Sequence, residues 1–162
     1  MSDKNESEIR DIVEEAGSVD GRLAILVTRW NSFITDNLLK GAINSLQRNG
    51  LKNDQIDVVR LPGAFELPMV AKRVAATGNY EAIIALGCVI RGGTPHFEYV
   101  SGECTAGLGQ VQRDADVPIT FGILTVDNVD QAIERSGEGP NNKGEEAALT
   151  ALEMVRLLQK IG

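Results

Sequence analysis

The chain has 162 residues, 43% of them hydrophobic, and carries 23 acidic against 16 basic side chains for a net charge of −7. That length suits one domain with a single closed core, and the acidic balance argues against general affinity for nucleic acid or acidic lipid while allowing a local anion site. No apolar run approaches the ~20 residues that span a bilayer, and the acidic start MSDKNESEIRDIVEEAG lacks the basic and apolar regions of a secretory signal.

Residues 1–18 read as a polar, partly flexible N-terminal arm ahead of a single domain over 19–162. Ile9, Ile12, Val13 and Ala16 follow an i, i+3, i+4, i+7 spacing, which fits a short helix or an arm docked on another surface. From there a regular rhythm begins. RLAILVT (22–28) is a short apolar run of the kind buried on both faces of a sheet. SFITDNLLKGAINSLQRNG (32–50) puts Leu38, Leu39, Ala42, Ile43 and Leu46 on one helical face and ends in an Asn49-Gly50 cap. IDVVRL (56–61) is a strand and ELPMVAKRVAATG (66–78) a helix. EAIIALGCVI (81–90) is the most apolar strand. FEYVSGECTAGLGQVQ (97–112) spaces Phe97, Val100, Cys104, Leu108 and Val111 as a helix does. PITFGILTV (118–126) is a fourth strand, followed by a short helix over 128–137 and a long amphipathic one over 143–162. Strands alternating with helices predict βαβ units and a four-stranded parallel sheet in a three-layer α/β/α sandwich.

Cys88 and Cys104 lack CxxC spacing and fall in apolar segments. With one histidine in the chain, they point to free thiols in a reducing cytoplasm rather than to a metal site.

Ligands of parallel sheets sit at the carboxyl ends of strands, and the unusual residues cluster there. RGGTPHF (91–97) places two glycines, a threonine and a proline before His96, the chain's only histidine. Free N–H groups at such a turn can hold an anion, though a plain strand–helix connection has the same look. It is neither a Walker loop nor a dinucleotide fingerprint. His96 beside it is a candidate general acid/base or a surface histidine. In PGAFELP (62–68), Gly63 can bring backbone amides toward a ligand and Phe65 reads as core. Glu66 suits a helix start whether or not it binds anything. Trp30, the only tryptophan, can stack on a flat heterocycle or be half-buried packing. Arg135 and Lys143 flank the loop stretch SGEGPNN (136–142) as phosphate ligands or as solvated cations. Asp127, Asn128 and Asp130 read as caps of the short helix. These features taken alone also fit a nucleotide- or flavin-binding module, or a shell-forming protein without activity.

In order and spacing, RWN, VRLPGAFELP, ALGCVIRGGTPHFEYV, PITFGILTVDNVDQAIERSG and NKGEEAALTALEM resemble the lumazine synthase family, from about residue 20 to the C-terminus. The resemblance implies a flavodoxin-like fold. The implied reaction joins 5-amino-6-(D-ribitylamino)uracil to 3,4-dihydroxy-2-butanone 4-phosphate, as the penultimate step of riboflavin biosynthesis, without cofactor or metal. It also implies a homopentamer with sites between subunits, and riboflavin synthase as a candidate partner. Carried onto this chain, Trp30 is the pyrimidine-stacking aromatic. Ala64, Phe65 and Glu66 meet the pyrimidine and ribityl chain, and the backbone at Cys88, Val89 and Ile90 reads the pyrimidine edge. Gly93 and Thr94 contact phosphate and His96 transfers protons. Phe121 and Arg135 come from the neighbouring subunit, to the heterocycle and the phosphate respectively, and Lys143 supports the site. The family turn more often reads Gly-Ala-Thr where this chain has Gly92-Gly93-Thr94. Glu138 and Pro140 set the 138–142 loop apart from the family, so the resemblance implies the pentamer but not a sixty-subunit shell.

Overall fold

The computed structural model describes residues 9–162. Four strands, β1 (Leu23–Thr28), β2 (Ile56–Leu61), β3 (Ala82–Ile90) and β4 (Ile119–Val126), form an all-parallel sheet in the order β2-β1-β3-β4. Five helices connect or follow them: α1 (Ser32–Arg48), α2 (Leu67–Ala76), α3 (His96–Ala115), α4 (Val129–Ser136) and α5 (Lys143–Ile161). The predicted elements fall within a few residues of the observed ones, because each carries its own periodicity of apolar side chains.

Alternation along the central strands feeds two cores. Leu23, Ile25 and Val27 of β1 and Ile84 and Leu86 of β3 face α1, α4 and α5, which contribute Leu38, Leu46, Ala132, Ala148 and Leu152. Ala24, Leu26, Ile83 and Ala85 point the other way, onto Leu67 and Ala71 of α2 and Cys104 and Leu108 of α3. The chain therefore folds as a three-layer, flavodoxin-like α/β/α sandwich. Cys88 belongs to the first core and Cys104 to the second, so the sheet separates the two thiols.

The α1–α5 contact is unusually close. A Cβ on Gly144 would stand 2.0 Å from the Leu38 carbonyl oxygen, so only glycine fits there. Asn142 caps α5 beside it. Its Oδ1 accepts from the N–H groups of Gly144 and Glu145, while its Nδ2 donates to the carbonyls of Asn37, Ser136 and Gly137. At 3% exposure, this one carboxamide satisfies α5's first amides and ties the preceding loop to α1.

Residues 1–8 of the expected arm lie outside the described residues. Residues 9–20 form neither helix nor strand, and Ile9 and Val13 are exposed; the helical alternative for their spacing is not adopted. The segment instead lies along the end of α5. Arg156 donates to the Gly17 carbonyl from Nη2 at 2.8 Å and Nε at 3.2 Å, and Lys160 pairs with Glu15 at 2.8 Å. Val19 inserts into the first core. Among the described residues no helix is long and apolar enough to cross a membrane.

Candidate functional site

The crossover from β2 passes over β1 to β3, which makes the carboxyl ends of β1 and β3 the switch point of the sheet, the place where such folds bind ligands. A pocket of about 540 Å³ opens there. β1 supplies Thr28, then Trp30 and Asn31; the β2–α2 connection supplies Gly63 through Glu66; β3 supplies Cys88 through Ile90; α3 supplies His96, Tyr99 and Val100.

Local structure explains each placement. The Arg29 and Trp30 N–H groups donate to the carbonyls of Leu61 and Pro62 at 2.8 and 3.0 Å, carrying the β1–β2 pairing past the strand ends. Asn31 then turns the chain into α1 in the left-handed region (φ 60°, ψ 44°), a conformation asparagine tolerates. Its Nδ2 donates to the Cys88 carbonyl at 2.9 Å and so clips the β1 exit to the end of β3. Trp30 lies against Gly63, where a Cβ would come within 2.3 Å of its ring. Gly63 has an extended backbone (φ −149°), so its glycine is required by the indole and not by a turn.

Glu66 does not start α2 itself. It closes a 3-10 turn over Ala64–Glu66 and stands at the cap position of the helix that begins at Leu67, without a side-chain cap bond. One of its carboxylate oxygens is buried without a hydrogen-bond partner. A buried, unpaired acceptor is costly, and here it belongs to a residue that lines the pocket. Burial pushes the Cys88 thiol up to about 11, so that side chain keeps its proton near neutral pH. Phe65 is not core: it is 57% exposed and borders the pocket. The short 3-10 turn leaves its side chain outside while Ala64 and Leu67 take the buried positions.

The glycine turn is open. Gly92 and Gly93 avoid left-handed φ, and a Cβ on either would meet nothing within 4 Å. α3 starts at His96 with Pro95 as its cap residue and no side-chain cap; the Glu98 N–H donates to the Pro95 carbonyl, leaving those of His96 and Phe97 available to an anion. Arg91, just before the turn, donates from Nε to Asp127 at 3.0 Å, pairs with Glu98, and sets its guanidinium 4.3 Å from the centre of the Phe97 ring. The hydrogen bond to Arg91 holds the Glu98 carboxyl below its ordinary value. Asn128, whose side chain accepts from the Gln131 N–H, is the cap of α4. Asp127 is not a cap: it serves Arg91, and its own N–H donates to the Gln131 side chain.

Phe121, Arg135 and Lys143 gather elsewhere. With Glu146 they line a separate groove of about 280 Å³ along β4, which is an edge strand. Arg135 donates to the Gln131 carbonyl at 3.0 Å, Lys143 pairs with Glu146 at 2.8 Å, and Phe121 is 48% exposed. None of the three lines the pocket of His96. Within one chain the expected site residues thus form two groups, and Gly93 and Thr94 sit in the exposed turn next to the first.

Sequence reading missed the roles of Asn31, Tyr99 and Asn142. Tyr99 was within reach of it, since three residues beyond His96 on a helix is the same face. The clip from Asn31 and the pin at Asn142 join segments 57 and 105 residues apart, and no local pattern carries that. A family model described as 6,7-dimethyl-8-ribityllumazine synthase matches residues 20–159.

Proposed function

The chain belongs to the 6,7-dimethyl-8-ribityllumazine synthase family, and from that membership we propose that it condenses 5-amino-6-(D-ribitylamino)uracil with 3,4-dihydroxy-2-butanone 4-phosphate. The products are 6,7-dimethyl-8-ribityllumazine, inorganic phosphate and water. The observation that carries the reading is one pocket at the sheet's switch point shared by Trp30, Glu66 and His96, three residues far apart in the chain.

The pyrimidine stacks on Trp30, with Ala64 and Phe65 along its border and the backbone at Cys88, Val89 and Ile90 against its polar edge. The unpartnered Glu66 oxygen accepts from ribityl hydroxyls, which relieves its buried, unpaired state. Gly93, Thr94 and the first amides of α3 hold the phosphate. The pyrimidine amine attacks the ketone and water departs to leave an imine. Removal of a carbon-bound proton then expels phosphate, and the ribitylamino nitrogen closes the second ring with loss of a further water. His96 relays these protons, and the fixed donors stabilise the departing anion. Holding both substrates in register lowers the entropic part of the barrier. No step oxidises or reduces the pair of substrates, so the reaction calls for no redox cofactor.

Phe121 and Arg135 act on the pocket of a neighbouring copy, Phe121 against the heterocycle and Arg135 on the phosphate, with Lys143 in support. This reading is favoured by their separate groove on the open edge of the sheet and requires a neighbouring subunit; we propose that the assembly is a pentameric ring. The test is to mix the two substrates with the purified protein and follow fluorescent lumazine and released phosphate. A rate equal to the spontaneous reaction refutes the enzyme. His96→Ala should lower turnover by about 10²-fold or more, and Arg135→Ala should mainly raise KM for the phosphorylated substrate. Unfolding and reassembling the two variants together should restore activity above that of either alone, because some sites then receive an intact half from each copy. No restoration in mixed rings would place the whole site within one chain.

A further inference from the structure

Gly92, Gly93 and Thr94 form no turn or cap hydrogen bonds of their own, and the Pro95 carbonyl is held only at the far end, by the Glu98 N–H at 3.1 Å. With open space around both glycines, nothing within the turn fixes where its amides point. Order must come from its two ends. At the first end stands Arg91, whose N–H donates to the Val126 carbonyl at 2.8 Å and so anchors the exit of β3 to the end of β4. Its side chain reaches across to the second end. It pairs there with Glu98 and lies over Phe97, both in the first turn of α3, while Nε holds Asp127 beyond β4.

We infer that Arg91 is the positioning residue of the glycine turn: it clasps the turn's two ends together and offsets the two carboxylates beside it. The inference rests on the reading of this turn as the phosphate site. In the structure Asp127 engages Nε of Arg91, Glu98 engages Nη1 and the Phe97 face lies against the guanidinium, so its action on the anion runs first through the backbone of the turn. Its charge matters as well. Without it Glu98, in the first turn of α3, and Asp127, held to Arg91, would present two uncompensated negative charges beside the turn, and charges are little screened over distances shorter than ~8–10 Å in ordinary buffers. Lysine is a poor substitute, since it lacks the planar fork that serves two carboxylates and a ring at once.

The test compares Arg91→Gln, Arg91→Lys and the double variant Arg91→Gln/Glu98→Gln with the unaltered protein. KM for each substrate, inhibition by inorganic phosphate, and amide exchange of residues 92–94 and 96 are measured. Arg91→Gln should raise KM for the phosphorylated substrate and weaken phosphate inhibition by the same factor, about five- to tenfold for an exposed charge network. KM for the pyrimidine should hold, and amide exchange in the turn should quicken. Arg91→Lys should recover only part of the loss. Removing the stranded Glu98 charge in the double variant should also recover part, a rescue that a merely structural arginine would not permit. The inference is overturned if phosphate affinity is unchanged in Arg91→Gln, if both KM values rise alike, or if the double variant is worse than the single one. Unaltered protein that neither turns over nor binds phosphate overturns the functional reading itself, and this inference with it.

Discussion

Replacing Gly63 with alanine tests the seat of Trp30. The backbone there (φ −149°, ψ 179°) is open to any residue, so the substitution introduces no backbone strain and slightly lowers the entropy of the unfolded chain. The new methyl, however, would stand 2.3 Å from Trp30 Cε3 and 2.6 Å from Cζ3, about 1 Å inside the ~3.5 Å carbon–carbon contact distance. The indole is 62% exposed, so it tilts outward rather than compressing the core. Stability should change by less than ~1 kcal/mol, and the melting temperature by less than ~4 °C. Stacking of a base on an aromatic ring is worth about 1–3 kcal/mol. A displaced ring keeps part of that contact, so on the proposed function kcat/KM for the pyrimidine substrate should fall by about 5- to 30-fold, or ~1–2 kcal/mol. KM for the butanone phosphate should stay put. Because Trp30 is the only tryptophan, its emission reports the displacement directly, and its quenching by added pyrimidine reports the stack. Unchanged emission together with an unchanged pyrimidine KM would refute this account of Gly63, and equal losses for both substrates would refute the role of Trp30.

Three further outcomes follow from the same structure. Asn142→Ala removes five hydrogen bonds at a buried position; loss of the cap and of partners for buried carbonyls should cost about 2–4 kcal/mol, read as a lower urea midpoint at unchanged slope. A loss below ~1 kcal/mol would mean that water replaces the carboxamide. Gly93→Ala should be tolerated, and stabilising by about 0.4–1 kcal/mol, since the position has open space and no left-handed φ; a lower melting temperature would contradict the described turn. Burial raises the thiols of Cys88 and Cys104 from 9.0 to about 11 and about 12. Below pH 9 both states keep the proton and this contribution is fully present. As pH rises from 9 toward 11–12 only the unfolded chain ionises, and stability falls. Urea titrations between pH 8 and 10.5 should show that decline, and Cys88→Ala/Cys104→Ala should flatten it.

The alternation of strand and helix, nearly every element boundary and the clustering of unusual residues at strand ends were legible in the sequence. The cause is that apolar periodicity, caps and glycine stops act over a few residues, and a chain displays them without folding. His96 beside its glycine turn belongs to this class, as do the two buried thiols. Other properties depended on which segments the crossovers bring together. Phe65 has the composition of a core residue, yet a one-turn 3-10 segment leaves it outside. By sequence Gly63 reads as a residue that brings backbone amides toward a ligand, and only the approach of Trp30, 33 positions earlier, shows what a side chain there would displace. Arg91 carries no signal of its own in RGGTPHF, and only the fold closes Glu98, Asp127 and Phe97 around it. The division of the expected site, with His96 at the β1/β3 switch and Arg135 at the β4 edge, follows from the strand order β2-β1-β3-β4. Strand order is settled by non-local packing energy, and short-range patterns in a sequence hold no record of it.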